Sequence, residues 1–273
     1  MINRNVVSTA VIVALAGFAS AQAQYVTGHG QKLFLTNADT LQTEVLNLAD
    51  GEGAWTFSGM TTDSRGRIIA HTINQAQAVT EFYRVGSNKN TDAPTMVRIG
   101  TGNATYNTIT YVGERLFGVE RQGSLNVIVE IDTQSFEKIG EWHNLTQAIG
   151  GMAYNEATDE FVFGDSRTRN FYAVSASDAN AEVRLIGHAG MNFGGNGIEL
   201  FDGRLYGSFI RAGTLDLVMG EISMTTGQIT ILANLGASTA GAGTSFTVIP
   251  TIPSPTGLAL LGLGGLAAIR RRR

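Results

Sequence analysis

Short apolar runs recur along this chain between turn-forming residues. Four share one form: Arg67-Ile68-Ile69-Ala70, Arg115-Leu116-Phe117-Gly118, Phe161-Val162-Phe163-Gly164 and Arg204-Leu205-Tyr206-Gly207. In each, an apolar or aromatic pair precedes a small residue, and the small residues stand 48, 46 and 43 positions apart. A turn lies ahead of each run: Asp63-Ser64-Arg65-Gly66, Val112-Gly113-Glu114, Ala157-Thr158-Asp159 and Asp202-Gly203. Another short apolar segment precedes the turn, such as residues 108–111 or 151–154, so each unit opens with a hairpin. A second hairpin follows. Its strands are 82–85 with 96–99, 128–132 with 136–139, 171–174 with 183–186, and 219–223 with 228–232. Helical periodicity is scarce, and the alternating β-branched and aromatic runs predict an all-β body.

Four strands per unit at a repeat of about 46 residues is the sequence form of a β-propeller blade. Four units run from about Ser58 to Asn234. The remainder is split between the two ends of the body: residues 244–249 supply one strand, and 25–27, 32–35 and 44–48 supply the others. Together they make a further blade closed from both ends, which removes exposed sheet edges at the join. The expected fold is therefore all-β, a β-propeller of about five four-stranded blades over residues 24–252. A β-sandwich with incidental spacing is the alternative. The turns Ile131-Asp132-Thr133-Gln134 and Ile222-Ser223-Met224-Thr225-Thr226-Gly227 resemble those of secreted bacterial propellers with an Ile-Asp-x-x-Thr-Gly-like turn. That resemblance implies a fold and no activity.

Both ends of the chain read as addresses, each expected as a helix flanking the propeller. At residues 1–23, Arg4 precedes an apolar run from Val6 to Ala19, and Ala21-Gln22-Ala23 has small-x-small form. This is the pattern of a secretory signal peptide cut after Ala23. At residues 253–273, Pro253-Ser254-Pro255 leads into an apolar run from Gly257 to Ile269 and ends in Arg270, Arg271, Arg272 and Arg273. The run is shorter than the roughly 20 residues of a comfortable span, and it is apolar all round rather than on one face. The four arginines form a cytoplasmic stop under the positive-inside rule. This tail resembles the PEP-CTERM sorting signal handled by exosortase-type membrane proteases, although Ser254 stands where the family motif has Glu. The resemblance implies Sec-type export, a transmembrane helix in transit through the inner membrane, an exosortase-like protease as partner, and a final place at the cell surface or outside. Extracellular polysaccharide is a further expected partner.

Charge sharpens this picture once both ends are removed. The whole chain has 19 Lys+Arg against 23 Asp+Glu. Five of those bases and none of the acids lie in the leader and tail, so the body carries 14 against 23, a net of −9. An acidic body argues against nucleic acid as a partner. Cysteine is absent, which excludes disulfides, thiolate metal sites and Cys nucleophiles.

Motifs for chemistry are sparse. His29, His71, His143 and His188 show no His-x-His or His-Glu-x-x-His spacing. There is no Gly-x-Ser-x-Gly elbow, phosphate-binding loop or EF-hand loop. The cluster Gly194-Gly195-Asn196-Gly197 reads as a loop entering a strand at the axis. In a propeller, the loops after second strands and the loops between blades share one face. Residues placed there are His71, Glu120, Arg121, Asp165, Arg167 and Arg211, with Asn107, Asn196 and Glu199 at blade junctions. They are the candidate ligand residues, for a divalent cation or a sugar; ion pairs and loop capping are the plainer use of the same residues. No catalytic residue and no cofactor is assigned. The function expected is an exported, surface-sorted, non-catalytic binding or structural component of the envelope or extracellular matrix. The rival is a propeller hydrolase or lyase acting on glycan or lactone.

Overall fold

The computed structural model describes residues 23–48, 57–87, 94–239 and 243–249; almost all of the expected leader and the whole sorting tail lie outside them. The described residues form twenty strands and no helix. No helix among them is long and apolar enough to cross a membrane. In chain order, β1 (Gln24–His29), β2 (Lys32–Asn37) and β3 (Thr43–Asn47) belong to the first blade. The second holds β4 (Phe57–Thr62), β5 (Ile68–Asn74), β6 (Val79–Ser87) and β7 (Pro94–Thr101). The third holds β8 (Tyr106–Val112), β9 (Arg115–Gln122), β10 (Leu125–Ile131) and β11 (Lys138–Leu145). The fourth holds β12 (Ile149–Asn155), β13 (Glu160–Asp165), β14 (Asn170–Ser175) and β15 (Arg184–His188). The fifth holds β16 (Phe193–Phe201), β17 (Arg204–Arg211), β18 (Asp216–Ile222) and β19 (Ile229–Ala237).

The last strand, β20 (Thr244–Ile249), returns to the first blade and lies innermost in the order β20-β1-β2-β3. The seam is thus a main-chain ladder, from His29 opposite Thr244 to Gln24 opposite Ile249. The chain is a five-bladed propeller closed by strands from both ends of the body, as the split remainder predicts. The inner strands β4, β8, β12, β16 and β20 neighbour one another in a ring about one axis.

Each sheet is covered on both faces, so its middle strands are buried throughout rather than on alternate residues. β13 reads buried from Phe161 to Asp165, and β9 from Leu116 to Val119. This explains the continuous apolar runs that mark the repeat. The core is not one body but five, one between each pair of adjacent blades. Phe171 and Ala173 of the fourth blade pack with Phe193 and Phe209 of the fifth. Val26 and Leu33 of the first meet Phe57 and Met60 of the second. Phe117 of the third meets Phe161 of the fourth, with ring centroids 5.1 Å apart. Phe82 of the second packs with Tyr106 of the third, and Tyr25 of the first with Tyr206 of the fifth. Full burial of each such side chain contributes roughly 1.5–3 kcal/mol.

The four marker residues Ala70, Gly118, Gly164 and Gly207 all fall on second strands. Their registers are not all alike. Ala70, Gly118 and Gly207 pair with Met60, Ile109 and Ile198 of their inner strands. In the fourth blade the equivalent Met152 pairs with Phe163, and Gly164 lies one residue further on. One step reverses the face of a strand, so Phe163 holds the marker register there.

The Ile-Asp-like turns act by local capping. Asp132 Oδ1 accepts the N–H groups of Gln134 at 2.9 Å and Ser135 at 2.6 Å. Ser223 Oγ accepts those of Thr225 and Thr226. Each turn ends in a left-handed residue, Gly227 at φ 73° and Phe136 at φ 61°. Phe136 therefore belongs to the turn and not to the strand expected over 136–139. Its ring stacks on Phe82 at 4.6 Å, and this burial offsets the strain of a non-glycine left-handed backbone.

Candidate functional site

The inner strands define five aligned positions at one level of the axis. Thr61, Thr110, Ala153, Glu199 and Thr247 pair with Ile69, Phe117, Val162, Tyr206 and Val26, which occupy the same register on their second strands. Glu199 is the only charged member of this level. The Thr61 hydroxyl of β4 donates to Glu199 Oε2 at 3.4 Å, and the Thr247 hydroxyl of β20 does so at 3.3 Å. One carboxylate thus joins three inner strands across the axis. A Thr62–Thr247 hydroxyl pair at 2.8 Å extends the network. Glu199 is half-buried among the inner strands. That burial pushes its carboxyl up to about 8, against the smaller opposing effect of the two threonine hydroxyls.

Close approach of backbones builds this narrow axis. A Cβ on Gly197 of β16 would stand 2.5 Å from the Phe246 nitrogen of β20. The cluster Gly194-Gly195-Asn196-Gly197, expected as a loop, lies inside β16. Asn196 is buried, and neither of its side-chain polar atoms has a partner. Its amide occupies the space left by Gly150 and Gly151 of β12.

The expected ligand residues are engaged one by one. His71 on β5 is fully buried and donates from Nε2 to the Tyr106 carbonyl at 2.8 Å. Burial lowers its pKa to about 4, so it is a neutral core imidazole. Glu120 on β9 pairs with Lys138 at 2.9 Å and accepts from Gln122. Arg121 donates to the Gly123 carbonyl, and Arg167 to that of Thr146. Asp165 caps its turn by accepting from the N–H groups of Arg167 and Thr168. Arg211 faces Asp216 at 3.8 Å, and Asn107 donates to Asn126 at 3.4 Å.

The structure does not gather His71, Glu120 and Asp165 into a metal site. Among the described residues no three His, Asp or Glu side chains meet in that way. Asn107, Asn196 and Glu199 lie within inner strands rather than at blade junctions. Sequence reasoning missed Thr61, Thr110 and Thr247. Aligning Gly59-Met60-Thr61, Thr108-Ile109-Thr110, Gly151-Met152-Ala153, Gly197-Ile198-Glu199 and Ser245-Phe246-Thr247 would have exposed Glu199 as the one charged residue among three threonines and an alanine.

No family model and no curated protein matches this chain. Solved structures do. A chain from a nidogen/laminin complex superposes with TM-score 0.50 at 6% identity, covering 84% of this chain and 99% of that one. A candidate 6-phosphogluconolactonase from Bacteroides fragilis gives TM-score 0.40 at 13% identity, covering 81% of this chain and 69% of that one. A protein of unknown function from Bacteroides caccae gives 0.44 at 10%, covering 84% and 99%. At such identities the likeness is of fold alone.

Proposed function

We propose that this protein is an exported propeller, sorted to the cell surface, that serves as a non-catalytic binding or structural component of the envelope or extracellular matrix. One observation carries the reading. The outermost strand of every blade exposes an aliphatic side chain: Val45 on β3 at 47%, Val97 on β7 at 46%, Ile139 on β11 at 61%, Leu185 on β15 at 56% and Ile231 on β19 at 44%. Exposed aliphatic residues on unpaired strand edges favour contact with neighbours, and here they recur around the whole rim. The tail supports the sorted destination through its resemblance to a PEP-CTERM signal, and the leader supports export.

The reading is tested on two fronts. Cell fractionation is expected to find the protein outside the inner membrane, starting at Gln24. Purified protein is expected to co-sediment with extracellular polysaccharide, and the double variant Ile139→Lys, Leu185→Lys is expected to lose much of that association. Retention of Met1 on cytoplasmic protein would refute export. Catalytic release of reducing ends or opening of lactones by the purified protein would establish the rival hydrolytic role.

A further inference from the structure

We propose that the axis of the propeller binds a hard cation of calcium size, held by the Glu199 carboxylate with the Thr61 and Thr247 hydroxyls. The three oxygens come from three strands, β16, β4 and β20. Their spacing is the first reason. Good O–H···O hydrogen bonds are about 2.7–2.8 Å long, and the Thr62–Thr247 pair beside them meets that value at 2.8 Å. The contacts to Glu199 are longer, 3.4 Å and 3.3 Å. Oxygens that each lie about 2.4 Å from a calcium ion, at right angles to one another, stand about 3.4 Å apart. The same arrangement around magnesium would bring them to about 3.0 Å. The separation at the axis suits the larger ion.

Charge and an unused ligand are the second and third reasons. Among the described residues no cationic side chain pairs with Glu199, and none contributes to its electrostatic surroundings. Without a counter-charge Glu199 favours its protonated form; a cation on the axis would supply the missing charge and displace that proton. Thr110 occupies the same level on β8, is 1% exposed, and has a hydroxyl oxygen with no partner in the protein. It is an oxygen ligand in reserve. A site with one carboxylate among neutral oxygens belongs to the weak class of calcium sites, about 10⁻⁴–10⁻³ M, which suits extracellular calcium. The inference does not depend on the sorting reading, since it rests on the ring of inner strands alone.

Calorimetric titration and thermal melting of the protein with calcium chloride and magnesium chloride test it. Millimolar calcium is expected to raise the melting midpoint, with magnesium doing less. Glu199→Gln is expected to bind calcium at least about tenfold more weakly, because the site loses its one charge. Crystals of the unmodified protein soaked in strontium keep the test independent of how the variant folds. An anomalous peak on the axis beside Glu199 is expected. No calcium response, an equal response in Glu199→Gln, or a peak elsewhere would overturn the proposal.

Discussion

Burial favours the uncharged form of both Glu199 and His71, and so shifts the two groups in opposite directions. Burial raises the Glu199 carboxyl from 4.5 to about 8 and lowers the His71 imidazole from 6.5 to about 4. Folding therefore adds a proton to Glu199 between those values, so its stabilising contribution is complete below pH 4.5 and is lost as pH climbs to about 8. Folding removes a proton from His71, so its contribution is complete above pH 6.5 and is lost as pH falls towards about 4. The two slopes oppose each other in the acid range, and only Glu199 acts between pH 6.5 and about 8. In the presence of a chelator, Glu199→Gln is expected to gain stability over the unmodified protein as pH rises, most of all near pH 8. His71→Gln is expected to gain it only below pH 6.5. Scanning calorimetry across this range decides; identical pH profiles for the two variants would remove the account. Neither role was legible from residue type. A histidine and an acid near a channel look like ligands in a sequence. Burial of His71 against Phe82, 6.1 Å between ring centroids, is a long-range fact that no local spacing announces.

Strands were legible where both faces are buried and obscure where the backbone itself does the packing. Second strands such as Phe161-Val162-Phe163 stand out because each side chain meets a neighbouring blade. Inner strands carry small residues at the axis, and Gly and Asn are depleted in strands, so the cluster Gly194-Gly195-Asn196-Gly197 read as a loop. Their glycines are fitted to close contact: a Cβ on Gly197 would also meet Ser245 backbone atoms at 2.7 Å. Backbone cannot swing aside as a side-chain tip can. Gly197→Ala is therefore expected to destabilise by about 1–3 kcal/mol, measured as a lower urea midpoint with unchanged slope. Gly203→Ala, which has open space but a left-handed backbone at φ 71°, is expected to cost about 1 kcal/mol by strain alone. Wild-type stability in Gly197→Ala would mean that β16 and β20 do not approach as closely as a 2.5 Å Cβ contact requires.

At the scale of the molecule, the repeat spacing revealed the number of blades because each blade is one unit packed only on its neighbours. The split first blade was also legible, since leftover strands at both ends of the body have no other partner. Removing residues 244–249 is expected to abolish cooperative unfolding, because it opens the ring, exposes β1 and strips Phe246 and Val248 from Tyr25, Tyr206 and Met219. Removing residues 253–273 is expected to leave the melting temperature unchanged while altering where the protein accumulates. Equal loss of folding in both truncations would make the tail part of the domain. The seam also sets which way the molecule faces. Gln24 and Ile249 are direct partners, at the end of the axis shared with the turns Gly113-Glu114 and Asp202-Gly203. The loops carrying Gly123, Arg167 and Ala212 lie at the opposite end. A tether drawn through either flanking segment would hang the ring from its lower rim like a lamp from its base, turning those loops outward to whatever surrounds the cell.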